Sequence, residues 1–304
     1  MQIKILGAES LGVRGLACLI KTKNSRIVID PGVALGYRRY GLLPHPIQVA
    51  ASEIVKDKIR EALKGATDVV LSHFHGDHIP LLDANPYQLS AQSVVELFKT
   101  VRIWAKGKEN ISHHQLQRTK ALEKILNRKL TSAEGLNDGI LSFSHSVPHG
   151  ETGNGYVMMT RIEEGKEVFV HASDIEMLND ESIETILKWK ATTVLASGPP
   201  IYLPHLTRKM RENAWQRALG LAQEVETLIL DHHLLRCLEG EKWLNRLSYV
   251  TGKRVMCAAD FMGRRRRLFE ANRRLWYKKV PVPEGWHEAY SRGEMDAQSY
   301  RKFL

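Results

Sequence analysis

The densest group of chemically able side chains is Ser72-His73-Phe74-His75-Gly76-Asp77-His78, directly after the apolar run Asp68–Leu71. Three imidazoles and one carboxylate stand within six residues. Histidine and aspartate are side chains that bind Zn²⁺ and related divalent ions. Two histidines separated by one residue at a strand end can turn toward one metal. Gly76 lets the chain turn, so Asp77 and His78 can face a second metal nearby. The plain alternative is a polar loop that happens to be rich in histidine. Four donors at this spacing are hard to explain as packing.

Such a string needs a sheet edge to hold it. Short β segments are expected at Ile3–Leu6, Ala17–Lys21 and Arg26–Asp30, and Asp30-Pro31-Gly32 ends the third as a turn. Val33 to Ile47 reads as a long loop. Apolar positions at Ile54, Val55, Ile59 and Leu63 predict a helix over Glu53–Leu63. Strands follow at Asp68–Ser72 and Val101–Ala105, then a charged amphipathic helix from Ile111 to about Leu130. A second batch of strands covers Ile140–Ser144, Tyr156–Arg161 and Glu167–His171, and Asn179 or Asp180 caps a helix after it. Strands at Thr193–Ala196 and Thr227–Asp231 enclose a helix at Thr207–Val225. Ser197-Gly198-Pro199-Pro200 either rims a pocket or simply ends its strand. Helices at Glu241–Tyr249 and Arg264–Trp276 close the pattern. Two batches of strands with helices between and after them predict an α/β sandwich. We expect one domain over residues 1–304, with a basic helical extension at about 264–304.

The chain has 304 residues, 43% of them hydrophobic and 26% charged, which excludes global disorder. No apolar run approaches the ~20 residues of a membrane span, so no membrane partner is expected. The first residues read as a strand, without the apolar core of a secretory leader. Three cysteines, Cys18, Cys237 and Cys257, make no CxxC pair. A reducing, cytoplasmic setting is the expectation. The net charge is +10, of which +7 lies between Arg264 and Lys279. The basicity is therefore local to one segment.

The string at 73–78 resembles the H-x-H-x-D-H signature of the metallo-β-lactamase superfamily, whose fold is a four-layer αββα sandwich. The resemblance runs from about Met1 to Ala259 and implies further ligands in the family's order. His149, in Val147-Pro148-His149-Gly150, looks like the third histidine of the first metal site. Asp174, in His171-Ala172-Ser173-Asp174, looks like the carboxylate shared between the metals. The segment Asp231-His232-His233-Leu234-Leu235-Arg236 is similar to the T-H-F-S-x-R-Y segment of the ribonuclease Z branch. It makes His232 the preferred last ligand, with His233 as the alternative, and puts Arg236 at the arginine position. The resemblance thus implies one metal held by His73, His75 and His149, and another by Asp77, His78 and His232, with Asp174 between them. His233, Asp30, His145, His171 and Arg236 are candidates for supporting the ligands or touching substrate. For Asp30, His145 and His171 a purely structural role competes.

By the same resemblance, two divalent ions about 3.5–4 Å apart would activate a shared hydroxide for attack on a phosphorus or carbonyl centre. Zn²⁺ is the first choice, with Mn²⁺ or Fe as alternatives. Asp77 would help orient the nucleophile, and Asp174 or a nearby histidine would pass a proton to the leaving group. The substrate is less defined, because superfamily membership does not set it. Arg264, Arg265, Arg266, Arg267, Arg273 and Arg274, interleaved with Phe269, Trp276 and Tyr277, could hold RNA or DNA. A solvated amphipathic helix is the bland reading of the same run. We expect a phosphodiesterase or nuclease first. A hydrolase of a small thioester, lactone or ester comes second. A nucleic-acid-binding module with a structural metal comes last. The pattern through Ala258-Ala259-Asp260-Phe261-Met262-Gly263 is similar to a mainly archaeal branch of predicted hydrolases without an assigned substrate.

Overall fold

Side-chain alternation along the strands decides the layering in the computed structural model, which describes residues 1–150 and 155–304. The first sheet contains β1 (Gln2–Ile5), β2 (Cys18–Lys21), β3 (Arg26–Ile29), β4 (Asp68–Leu71) and β5 (Arg102–Ala105), side by side in that order. Its first two pairings are antiparallel and the last two parallel. The second sheet uses β6 (Asn137–Asp138), β7 (Leu141–Phe143), β10 (Thr160–Glu164), β11 (Glu167–Ser173), β12 (Thr193–Ala196), β13 (Thr227–Leu230) and β14 (Arg254–Met256). A small hairpin, β8 (Val147–Pro148) with β9 (Tyr156–Val157), stands apart from it. From β11 to β14 the strands are parallel.

On β3 and β4, Ile27, Ile29 and Val70 point to one side, where they meet Phe169, Leu195 and Ile229 of the second sheet. Their neighbours Val28, Val69 and Leu71 point to the other side, against helices. Val194, Leu228 and Leu230 do the same on the second sheet. This period of two buries both faces of both sheets and yields the expected four-layer αββα sandwich.

The outer layers are α1 (Pro46–Leu63), α2 (Val95–Phe98) and α3 (His113–Leu126) on one side, and α4 (Asp180–Lys188), α5 (Arg208–Glu224) and α6 (Leu238–Thr251) on the other. Three short helices follow: α7 (Ala258–Phe261), α8 (Arg273–Lys279) and α9 (Trp286–Ser291). No helix among the described residues is long and apolar enough to cross a membrane.

Two sequence-based expectations need correction here. Helix α1 begins seven residues before Glu53. Pro46 fits the first helical turn, and the His45 ring accepts a hydrogen bond from Ile47 N–H (3.1 Å). Gln48 and Ser52 are buried on its inner side, which hides the apolar period of the first two turns.

The second correction concerns Arg264–Trp276, which is not one helix. Residues 264–272 are irregular and α8 starts only at Arg273. Tertiary bonds compete with the helix. Arg267 N–H donates to the Ser10 carbonyl (2.7 Å), and buried Glu270 accepts two bonds from Arg14, at Nε (2.8 Å) and Nη2 (2.5 Å). The last segment then lies along α1, with Phe269 against Ile47 and Ala51 and with Trp276 and Tyr300 beside them.

Candidate metal centre

The parallel strands bring five chain turns to one end of the two sheets. Strand β3 delivers Asp30, β4 delivers Ser72 and the histidine string, β11 delivers Ser173 and Asp174, β12 delivers Ser197, and β13 delivers Asp231 and His232. The local backbone is bent to do so. Asp30 and Ser173 both have positive φ (47° and 53°). The β11–β12 register also shifts between His171 and Ser173, directly before Asp174. A bulge at that point re-aims the next side chain.

Asp174 sits at the centre and is buried. Its Oδ2 lies 3.3 Å from His73 Nε2 and 3.8 Å from His75 Nδ1. Its Oδ1 lies 3.2 Å from His78 Nε2 and 3.8 Å from His232 Nε2. Asp77 Oδ2 lies 3.2 Å from His232 Nε2. The His149 ring centre is 6.3 Å from that of His73 and 5.7 Å from that of His75. Four expected ligands, His73, His75, His78 and His232, thus lie within 3.8 Å of the Asp174 carboxylate, Asp77 meets His232, and His149 stands beside His73 and His75. Donor atoms of His73, His75 and Asp174, and those of Asp77, His78 and His232, each fall within 4.8 Å of one another.

Asp30 organises the ligand loop from behind. Its Oδ1 accepts from Ser72 N–H (2.8 Å), and its Oδ2 accepts from Ser72 Oγ (2.6 Å), Ser173 Oγ (3.1 Å) and His78 Nδ1 (2.8 Å). The contact of His78 Nδ1 with Asp30 turns Nε2 toward Asp174. A carboxylate behind a ligating imidazole fixes its tautomer and raises its basicity. Burial alone would raise the Asp30 pKa, but the His78 hydrogen bond and nearby histidines outweigh it and hold it at about 2.

The charges suit divalent cations. Burial acts to raise Asp77 and Asp174, but the surrounding imidazoles hold both well below the usual carboxylate range. Burial and neighbouring rings push His73 down to about 3. Burial opposes charge on His78 too, yet Asp174 and Asp30 on either side raise it. Two ionised carboxylates flanking one ring call for a cation between them. His78 Nε2 and Asp174 Oδ1 are buried without a hydrogen bond. This donor set, rich in imidazole with carboxylate, fits Zn²⁺ and related ions.

His232 and His233 divide two criteria between them. Position favours His232, which groups with Asp77 and His78, although His233 Nε2 also lies 3.5 Å from Asp174 Oδ2. Outer contacts favour His233. Its Nδ1 is 2.7 Å from Glu176 Oε1, whereas His232 Nδ1 faces the Gly15 N–H, a donor, at 3.0 Å. Arg236 is buried alongside. Its Nη2 lies 2.6 Å from His232 Nε2 and 3.5 Å from Asp77 Oδ2, and its Nη1 lies 3.3 Å from the Tyr202 hydroxyl.

Other expected site residues fall elsewhere. His145 is exposed, with its ring packed over Gly135, so it does not support the ligands. His171 is buried between the sheets and bonds the Leu16 carbonyl (2.9 Å), a structural role. Arg273 is buried. Its guanidinium donates to the carbonyls of Gly36 (2.7 Å) and Leu42 (3.0 Å) and to Gln48 Oε1 (3.0 Å), so it cannot meet a surface polyanion. Arg266 is held by Asp260, Glu241 and Asn245. Arg264, Arg265 and Arg267 line a groove with Leu11, Ile54 and Lys58, on the flank of α1, and no histidine or aspartate of the cluster lines it. Arg274 is exposed, with its guanidinium over the Tyr40 ring.

Ser72, Ser173, Glu176 and Gly15 were not singled out from sequence. Ser72 and Glu176 are next to and two residues from expected ligands, which is the only signal they carry. Gly15 has φ +119°, and a Cβ there would stand 2.4 Å from the Asp77 carbonyl oxygen. Only glycine lets that loop lie against the ligand turn.

Residues 12–181 match the family model of the metallo-beta-lactamase superfamily. A UPF0282 protein of Methanosarcina mazei is 50% identical over 302 residues, covering 99% of each chain. One from Pyrococcus horikoshii is 33% identical, covering 94% of this chain and 97% of its own. A solved structure described as a metal-dependent hydrolase of the beta-lactamase superfamily shares the fold at a TM-score of 0.50, with 13% identity over 84% of this chain and 95% of that one. With the sandwich, the donor cluster and these relatives in agreement, the chain belongs to the metallo-beta-lactamase superfamily, within its UPF0282 proteins.

Proposed function

We propose that the protein is a dinuclear metal-dependent hydrolase acting on phosphodiesters, as a phosphodiesterase or nuclease. Zn²⁺ is the preferred ion, with Mn²⁺ or Fe as alternatives. His73, His75 and His149 would hold one ion, and Asp77, His78 and His232 the other, with Asp174 between them. Bound divalent ions would polarise the scissile group and make water a nucleophile near neutral pH.

The protein's own residues do the rest. Asp30 and Ser72 fix the ligand loop. Asp77, at the mouth side beside Arg236, orients the attacking water. Asp174, ionised and central, takes a proton and returns it to the leaving oxygen. The observation that carries the phosphodiester reading is Arg236, a permanent cation buried within 3.5 Å of Asp77 Oδ2. A guanidinium in that place suits a non-bridging phosphate oxygen, since its fork matches phosphate geometry. The three cysteines are free and buried, which agrees with the cytoplasmic setting we assign.

The test is hydrolysis of bis(p-nitrophenyl) phosphate by Zn²⁺- and Mn²⁺-reconstituted protein, beside Asp174→Ala and a panel of thioesters and lactones. Diester turnover that disappears in the variant is the expected result. Thioester or lactone cleavage without diester turnover would replace the reading by the small-ester alternative.

A further inference from the structure

From Arg236 a ladder of alternating cations and rings leads out of the metal centre. The Arg236 guanidinium reaches the Tyr202 hydroxyl (3.3 Å). The Arg39 guanidinium lies 4.7 Å from the Tyr202 ring centre and 4.9 Å from that of Tyr40. Arg274 covers Tyr40 in turn, at 4.7 Å. Arg39 Nη2 also donates to the Arg236 carbonyl (2.9 Å), which ties the outer rung to the inner one.

Arg39 and Arg274 rest on rings rather than on carboxylates, as Arg246 does over Trp215. Arg60, Arg208, Arg217 and Arg292 each pair with a carboxylate. Arg39 and Arg274 have no described carboxylate within 4.0 Å. Arg39 Nε is buried without a hydrogen-bond partner, and the Arg274 head is open to solvent. Their aromatic neighbours hold them in place and strip part of their water. A positioned, partly desolvated guanidinium without a counter-charge is a ready phosphate seat.

We propose that Arg39, Tyr40, Tyr202 and Arg274 form the seat for a single-stranded nucleic acid running from the metal centre along this ladder. Phosphates beyond the scissile one lie on Arg39 and Arg274. The ring edges of Tyr40 and Tyr202 meet the sugar–base side. The proposal rests on the phosphodiester reading and places substrate grip here rather than on Arg264–Arg267.

The test is fluorescence anisotropy of labelled single-stranded RNA and DNA oligomers of about twelve nucleotides, across a salt series. The protein is wild type, Arg39→Ala/Arg274→Ala, or Arg264→Ala/Arg265→Ala, with folding checked by thermal unfolding. We expect the first double variant to bind at least tenfold more weakly. Its log–log salt slope should be shallower by about 1.4, for two lost phosphate contacts on a single strand. A preference between the RNA and DNA arms identifies the sugar. Wild-type affinity and slope in that variant, loss confined to the Arg264/Arg265 variant, or no oligomer binding by wild type at low salt each overturn the proposal. Anisotropy needs no turnover, so the two readings separate. Diester hydrolysis with ladder-insensitive binding removes the ladder alone. Ladder-dependent binding without hydrolysis keeps the ladder and removes the catalytic reading.

Discussion

Asp30 Oδ2 stands 2.8 Å from His78 Nδ1, with both residues fully buried, 48 positions apart in the chain. The same carboxylate takes the Ser72 N–H and hydroxyl, so one side chain sets both ends of the ligand turn. Asp30→Asn keeps the size but can no longer accept from all of these donors. Metal affinity should fall roughly 10–100-fold, the usual loss for a carboxylate behind a ligating histidine. Competition with a chromogenic chelator measures it, and unchanged affinity would show that Ser72 and Ser173 suffice.

The last ligand is decided by removing each ring. His232→Ala should lower bound metal by one equivalent per chain, because it leaves Asp77 and His78 without their third donor. His233→Ala should keep full stoichiometry. Elemental analysis after gel filtration gives the count, and the reverse result would transfer the role to His233 and its Glu176 partner.

Gly15→Ala should damage both backbone and site. Its φ of +119° is unfavourable for alanine, and the new methyl would meet the Asp77 carbonyl. A cost of about 1–3 kcal/mol is the usual range for such strain, before the clash is counted. Urea unfolding of the metal-free protein reads the loss directly. A midpoint equal to wild type would mean that the loop moves aside freely.

Glu270 supplies a pH test at a carboxylate outside the donor cluster. Burial acts to raise its pKa, but the Arg14 guanidinium outweighs burial and holds it at about 2. A carboxylate with a depressed folded-state value contributes stability in full above its unfolded value. That contribution is lost as pH falls toward the folded value. Glu270→Gln should therefore be about 3 kcal/mol less stable than wild type at pH 7. The gap should close between about pH 4.5 and 2. Chemical denaturation at stepped pH measures it, and a gap independent of pH would assign the loss to packing.

The site was more legible in the sequence than its surroundings. His73 to His78 stand out as four donors directly after an apolar strand, whereas Asp174 and His232 are implied only by the family resemblance. His145, four residues before His149, is a candidate for supporting the ligands, yet it is exposed. Sequence distance does not report side-chain direction there. The first turns of α1 were hidden because polar Gln48 and Ser52 are buried in it. The arginine run misleads for the opposite reason. Its charges resemble a solvated helix, whereas bonds to Ser10, Asp260 and Arg14 decide its path. Of the proposed ladder only Arg236 and Arg274 carry a signal in the sequence, since its rungs come from four separate segments of the chain.

The Arg14–Glu270 pair has a consequence for the order of events during synthesis. Arg14 is made 256 residues before its partner. Gly15, next to Arg14, abuts the ligand turn and His232. The bond that pins this loop therefore forms only after 256 further residues are made. A nascent chain cannot hold the loop in this way until the segment around Glu270 has left the exit tunnel.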